Sequence, residues 1–309
     1  MFTPILRACT TKPEKKYFDT YIFQLGDFSV ISLMDGLWTS NCDEIYKNAP
    51  SDELDALLNR YDLRIDGTVT RPFTAVYVDT GKNKVLLDTG MMLRFAGPPA
   101  DAGHLLENLR YEDIKPAEVD TVIISHAHPD HIGGIVDIRT GGPAFPNAQH
   151  YMWKDEYQFW MEDDATKLSE LRKTLGPSAS EMLQYARDCI NTIKDQLVLI
   201  DNEKTEIAPG FKYINAYGHT PYQMAVIVSS NNQQLFYSAD VFHYEFDLER
   251  PDWYNGIDMN DEQAVDSRIR LAEWAAKLNI LVKAAHTIFP GLGYIIKKGD
   301  AFQWAPCAP

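Results

Sequence analysis

The stretch SHAHPDHIGG, residues 125–134, places three of the chain's eight histidines and one aspartate within six positions. The apolar run Val122-Ile123-Ile124 leads straight into it and reads as a strand. Residues two apart at an extended strand end point to the same side, so His126 and His128 can face one ion. Asp130 and His131, just past Pro129, can then turn towards a second position close by. Gly133 and Gly134 are expected to let the backbone bend tightly behind them. Clustering alone does not decide the matter, because a chance triple of histidines somewhere in such a chain is roughly a 5 to 10% event.

Three more residues lie where apolar, strand-like runs end: His219 in YINAYGHTP, Asp240 in LFYSAD and His286 in ILVKAAH. Each alone would read as a hydrogen-bonded turn residue. Together they bring further imidazole and carboxylate donors to the ends of different strands, where side chains of neighbouring strands converge.

The rest of the chain supplies the frame for these ends. YIFQLGDFSVISLMDGLW is rich in β-branched and aromatic residues, with Asp35-Gly36 as the turn signal, and FTAVYVD with KVLLDTG reads as a hairpin around Gly81 and Asn83. Helical spacing follows in AGHLLENLRYEDI, which stops before Lys115-Pro116, and again from Tyr151 to Lys194 with a break at Gly176-Pro177. Strands resume at LVLID, FKYINAYG, MAVIVSS and QLFYSAD. In a last helix, about 261–278, Val265, Ile269, Ala272 and Ala276 fall at spacings of 4, 3 and 4 and so share an apolar face. Two batches of strands, each followed by helices, suggest two packed sheets with helices outside.

Composition bounds the function. The 309 residues, 45% hydrophobic and 12% aromatic, can bury a large core, and a net charge of −15 disfavours nucleic acid and anionic membranes as partners. The first residues have no apolar core of export-signal length, so a cytoplasmic protein is expected. No segment approaches the roughly 18 to 20 apolar residues of a membrane span. Four dispersed cysteines, Cys9, Cys42, Cys189 and Cys307, show no CxxC spacing, so any metal must be held by nitrogen and oxygen. The expected organisation is an extension at 1–20 and a single domain at 21–309.

From about Thr20 onward the chain resembles the binuclear hydrolases of the metallo-β-lactamase superfamily. The resemblance rests on LLDTG at 86–90, HAHPDHIGG at 126–134, GHTP at 218–221, SAD at 238–240 and AAHTIFPGLG at 284–293. The later blocks look most like the branch holding methyl parathion hydrolase and lactone and aryl-ester hydrolases. The resemblance implies an α/β fold, a four-layer αββα sandwich with two metals at one rim. It implies one metal on His126, His128 and His219, a second on Asp130, His131 and His286, and Asp240 bridging them. Asp88 would orient histidine ligands from behind. Two divalent metal ions per chain are expected, zinc first, with iron, manganese or cobalt also suited to such donors. Ions so close lower the pKa of a water between them from about 16 towards 7, so no Ser or Cys nucleophile is needed.

Departures from the relatives narrow the substrate. His128 stands where di-iron flavoprotein relatives carry glutamate, and Asp240 stands where true β-lactamases carry serine or cysteine. Acyl-homoserine lactonases usually place a tyrosine three residues after the bridging aspartate; here that residue is His243, expected to donate to the substrate in its place. Tyr222 and Gln223 replace the Gly-His pair of the family's GHTPGH, which leaves the support behind His219 open. Asp130 and His243 are the expected catalytic residues, and Phe95, His243 and Phe289 the expected pocket. The function implied is hydrolysis of small hydrophobic lactones, including N-acyl homoserine lactones, or of aryl esters, with phosphotriesters as side substrates. A dedicated organophosphate triester hydrolase is the alternative, and a non-catalytic metal-binding scaffold the weaker one. Relatives often dimerise, so a homodimer is a further expectation.

Overall fold

Residues 20–91, 100–162, 171 and 178–307 are described by the structure, a computed structural model. Its first hairpin joins β1 (Thr20–Leu25) to β2 (Phe28–Asn41) through Gly26-Asp27, with Leu25 opposite Phe28 and Gly26 at φ 58° as a tight two-residue turn requires. Asp35-Gly36 is therefore not the turn. β2 runs on through both residues, with a register shift against β4 (Thr68–Asp79) between Met34 and Gly36. Gly36 is needed for space, since a Cβ there would stand 2.3 Å from the Asp101 carbonyl oxygen.

The first sheet has the order β1-β2-β4-β5-β7-β8-β9, and its later strands are β5 (Lys84–Leu87), β7 (Thr121–Ile124), β8 (Gln149–Trp153) and β9 (Leu197–Ile200). Short strands β3 (Arg64–Ile65) and β6 (Ala100–Asp101) attach to β4 and β2. The hairpin expected around Gly81 joins β4 to β5, and β5, β7, β8 and β9 pair in parallel. The second sheet follows chain order: β10 (Glu206–Ala208), β11 (Phe211–Asn215), β12 (Met224–Ser230), β13 (Gln233–Ala239), β14 (Leu281–Ala284), β15 (Leu292–Lys298) and β16 (Ala301–Pro306).

Side-chain alternation along the strands sorts the core into layers. Val30, Val76, Val78 and Ile123 of the first sheet pack against Phe211, Val226, Leu235 and Tyr237 of the second. Their neighbours Ile31, Leu33, Ala75, Tyr77, Val122 and Ile124 face the other way, onto Leu109 of helix Leu105–Tyr111, Trp160 of helix Lys154–Met161 and Ala186 of helix Ala179–Thr192. On the far side, Phe236, Val282, Ala284 and Ile295 pack against Leu271, Ala272 and Ala275 of helix Asp261–Leu278. Helix, sheet, sheet, helix is the αββα sandwich expected.

The last helix buries only part of the apolar face expected for it: Ala272 is inside and Ala276 packs against the core. Ala264, Ser267, Arg268, Leu271, Ala272 and Ala275 are inside, while Ile269 is 38% exposed. The cause is Arg268, 1% exposed, whose guanidinium donates to the carbonyls of Val241, Pro251 and Trp253 and to Asp258. An apolar-periodicity argument cannot anticipate a helix face organised around a buried cation.

Asp35 has a structural task. Its carboxylate accepts from the backbone N–H groups of Met91 at 2.8 Å, Gly103 at 3.2 Å and Leu105 at 2.9 Å, so one side chain ties together two segments that flank residues 92–99. Burial pushes its pKa up to about 6, against the pull of those three donors. A raised carboxyl pKa in the folded state makes stability fall as pH rises from the unfolded value of about 4 to the folded value of about 6, by about 3 kcal/mol in all. Asp35→Asn should lose that slope in melts recorded across this window. It should also cost about 1 to 3 kcal/mol, because its amide NH2 faces backbone donors.

Candidate metal centre

β7 delivers Ser125 and His126 to the edge of the inter-sheet layer. The chain then turns through the short helix Pro129–Ile132, which carries Asp130 and His131. The tight approach behind them is real, but its reason is not conformational freedom. Gly133 has φ −63°, an ordinary helical value, and a Cβ on Gly134 would stand 1.9 Å from the Thr89 carbonyl oxygen. Gly134 lets the histidine loop lie against the segment carrying Asp88.

His219 follows β11, Asp240 follows β13 and His286 follows β14, so all three reach the same edge from the second sheet. Ala239 adopts φ 48°, unfavourable for a residue with a Cβ, and the β13–β14 register shifts between Tyr237 and Ala239. That local strain turns the chain just before Asp240.

The geometry brings together every residue expected to ligate. Donor atoms of His126, His128 and His219 lie within 4.8 Å of one another, as do those of Asp130, His131, Asp240 and His286. Asp240 spans the two groups: Oδ1 is 2.8 Å from His131 Nε2, and Oδ2 is 3.2 Å from His219 Nε2 and 3.1 Å from His286 Nε2. Asp130 Oδ2 lies 3.6 Å from His131 Nε2 and 3.4 Å from His286 Nε2.

The chemistry of these donors fits bound cations. His126 Nε2 and His128 Nε2 are buried without a hydrogen-bond partner, His131 Nε2 faces only the Asp240 and Asp130 carboxylates, and His128 Nδ1 and His219 Nε2 point at each other across 2.8 Å. Burial, together with neighbouring imidazoles, pushes His126 and His128 well below the ordinary histidine range, which keeps them neutral as ligands must be. Burial works to raise the Asp240 carboxyl, yet His131, His286 and His219 hold it well below its usual range. Burial likewise opposes a charge on His131, but Asp240, Asp130 and Asp88 hold it well above. The carboxylates thus demand positive charge between them.

Behind the donors stands a set of buried orienting groups. Asp88, 1% exposed, accepts from the Ser125 N–H, the Ser125 hydroxyl and the Tyr237 hydroxyl, each at 2.7 Å, and pairs with His131 Nδ1 at 2.7 Å. His286 Nδ1 lies 2.8 Å from the Pro72 carbonyl oxygen. His219 Nδ1 lies 2.9 Å from Asp258, which Arg268 holds in turn, so the support behind His219 does not depend on the altered Tyr222-Gln223 pair. Glu156 accepts from Ala127 N–H, Trp160 Nε1 and the Thr220 hydroxyl, joining the two loops that carry His128 and His219. Sequence reasoning missed Asp258 and Glu156. Each is one carboxylate among 44 acidic residues, with no local pattern to mark it.

Two pocket expectations are corrected. His243 is fully buried beneath the cavity wall rather than among its lining residues: its ring stacks on His286 at 5.6 Å, and Nε2 is 3.3 Å from Asp240 Oδ2. It forms a further donor group with His219 and Asp240. Phe289 is partly exposed and does not line the cavity over Asp130. Phe95 lies outside the described residues. That cavity, about 430 Å³, takes its described apolar wall from Trp38 of β2, Phe73 of β4 and Ile45, Met91, Met182 and Ile257.

Comparison with known proteins settles the family. The sequence profile of the Metallo-beta-lactamase superfamily matches residues 70–291. This chain belongs to that superfamily. Among solved structures it is similar to the hydrolase AbOPH of the beta lactamase superfamily, at 27% identity and TM-score 0.87, covering 96% of this chain and 99% of that one. It is similar to AidC, a dizinc quorum-quenching lactonase solved with an N-acylated L-homoserine product, at 26% identity and TM-score 0.87, covering 94% and 98%. A probable metal-dependent hydrolase from Staphylococcus aureus shares the fold at 17% identity and TM-score 0.75, covering 93% and 99%. The chain is thus a metallo-β-lactamase-superfamily hydrolase whose His/Asp clusters fit a dinuclear site. No helix among the described residues is long and apolar enough to cross a membrane.

Asp258 supplies a test of the supports in this superfamily member. Asp258→Asn retains an acceptor for His219 and should leave metal affinity little changed, although it too removes the negative charge beside Arg268. Asp258→Ala should weaken metal binding by about 10- to 100-fold in chelator competition. It should also lower stability by about 3 kcal/mol in thermal melts, because Arg268 loses its buried counter-charge.

Proposed function

We propose that the protein is a dizinc lactonase acting on N-acyl homoserine lactones and related hydrophobic lactones. The observation that carries this reading is the pair of donor clusters joined through Asp240. The likeness to a dizinc lactonase over nearly the whole chain supports it. His126, His128 and His219 would hold one ion, Asp130, His131 and His286 the other, with Asp240 between them. Bound there, the ions supply a water of lowered pKa and polarise the ester carbonyl.

The chain's own residues do the rest. Asp130 is both a donor to the second cluster, through Oδ2, and part of the cavity lining, with its side chain 13% exposed, so its carboxylate is placed to take a proton and return it to the leaving alkoxide. The apolar wall suits an acyl chain. Arg71 and Asn255 line the same cavity, and Arg71 Nε and Asn255 Nδ2 are buried without partners among the described residues. With Glu44 and Glu181 also on that wall, the cavity favours a neutral acceptor, such as an amide carbonyl, over an anionic group. His243, fully buried, would act by packing the imidazoles of His219 and His286.

A second reading, organophosphate triester hydrolysis in the manner of methyl parathion hydrolase, draws on the same sequence blocks; the same centre would direct hydroxide at phosphorus, with loss of an alkoxide or aryloxide. Rates on N-acyl homoserine lactones, alkyl γ-lactones, aryl esters and phosphotriesters decide between them, since kcat/KM ratios report differential transition-state binding. Lactones should lead, and a phosphotriester preference would reverse the assignment. Metal analysis should give two ions per chain, zinc among them. His128→Ala and Asp240→Asn should each lose metal and at least about a hundredfold in rate. Full activity in the metal-depleted variants would sink the scheme.

A further inference from the structure

Lys283 has no place in the chemistry above, yet it is fully buried in the layer between the sheets. Its neighbours Val282 and Ala284 face the outer helix, so the pleat turns Lys283 inward. Its Nζ donates to the Thr74 hydroxyl at 2.6 Å and to the Ala284 carbonyl at 2.6 Å, and Thr74 donates onward to the Ala285 carbonyl at 2.7 Å. No carboxylate pairs with the amine among its hydrogen bonds. Burial pushes its pKa down to about 7, so near neutral pH a large share of it is uncharged. A hydrophobic side chain would fill this layer at less cost, which makes the acceptors it has chosen informative.

Both acceptor routes end on the two residues that precede His286. The loop from Ala284 to Gly291 is held at its other points too: Pro72 O meets His286 Nδ1 at 2.8 Å, Glu245 accepts from Ile288 N–H, and Ser32 donates to Pro290 O at 2.9 Å. Gly291, at φ 71°, closes the loop against the amine. A Cβ there would stand 2.8 Å from Lys283 Nζ and 2.5 Å from Ala284 O. Thr74 lies two residues after Pro72, so β4 contacts the loop twice, once through Thr74 and once through the carbonyl that orients the His286 ring.

We infer that Lys283 and Thr74 form a positioning clasp that fixes the backbone entering the His286 loop, and thereby sets the affinity of the second metal position without touching metal or substrate. The inference rests on the assignment of His286 as a ligand. It gives a buried lysine a role distinct from general stability, because its two bonds converge on one loop.

Lys283→Met keeps the volume of the side chain and removes the donor. The variant should melt at or above the wild-type temperature, since folding no longer has to bury an amine, yet bind its second ion at least about tenfold more weakly. Thr74→Val should show the same selective loss, and Thr74→Ser, which retains the hydroxyl, should restore it. Stoichiometry after dialysis against graded chelator and cobalt(II) absorption titrations read each position apart from turnover. If both Lys283→Met and Thr74→Val hold two ions with wild-type affinity, or lose both in step with the melting temperature, the clasp is overturned. Wild-type protein binding fewer than two ions would instead overturn the dinuclear assignment, and the clasp with it. His286→Ala, as a control, should abolish the second site.

Discussion

The Asp240 carboxylate is the contact on which the rest of the site depends. It leaves the end of a second-sheet strand and meets His131 from the first sheet through one oxygen, while its other oxygen faces His219 and His286. Such a geometry exists only where the edges of two sheets converge. It needs a left-handed turn at Ala239 to aim the side chain and a buried layer dry enough to make each charge matter. The sandwich, with its alternation of inner and outer apolar residues, holds the two edges in register.

Around that carboxylate the protein arranges charge in alternate shells. Imidazoles surround Asp240, and carboxylates or carbonyls stand behind the imidazoles: Asp88 behind His131, Asp258 behind His219, Pro72 O behind His286. Each outer group is secured in turn, Asp88 by Ser125 and Tyr237, and Asp258 by Arg268. The ligand nitrogens left facing inward meet only one another and the Asp130 and Asp240 carboxylates, the arrangement expected of donors kept free for cations. The same logic explains why a helix on the outer surface turns a polar residue inward. Arg268 secures the carboxylate that secures a proposed ligand.

Much of this was legible in the sequence because it is local or patterned. The spacing of SHAHPDH constrains side-chain directions within one strand end and one turn. The residues ending YINAYGH, LFYSAD and AAH lie where apolar runs stop, so their convergence at a sheet edge could be expected. What misled was also local. Asp35-Gly36 has turn chemistry, but its carboxylate is consumed by three backbone donors and its glycine by a close strand crossing. Apolar spacing in the last helix pointed to Ile269, which a buried arginine turned outward. His243 occupies a position that suggested the pocket, and packing placed it among the imidazoles instead.

The sequence by itself determined the alternating layers, the strand ends that carry the histidines and aspartates, and the kinds of donor present. Those follow from short-range geometry, in which the pleat and the turn fix direction. Only the tertiary structure decided which carboxylate stands behind which histidine, which aromatic residues wall the cavity, and where Lys283 sends its two hydrogen bonds. Those partners lie far apart in the chain: Glu156 and Thr220 are 64 positions apart, and Thr74 and Lys283 are 209. Buried polar groups take whatever acceptor the packed sheets bring within reach, and no short-range pattern records that choice.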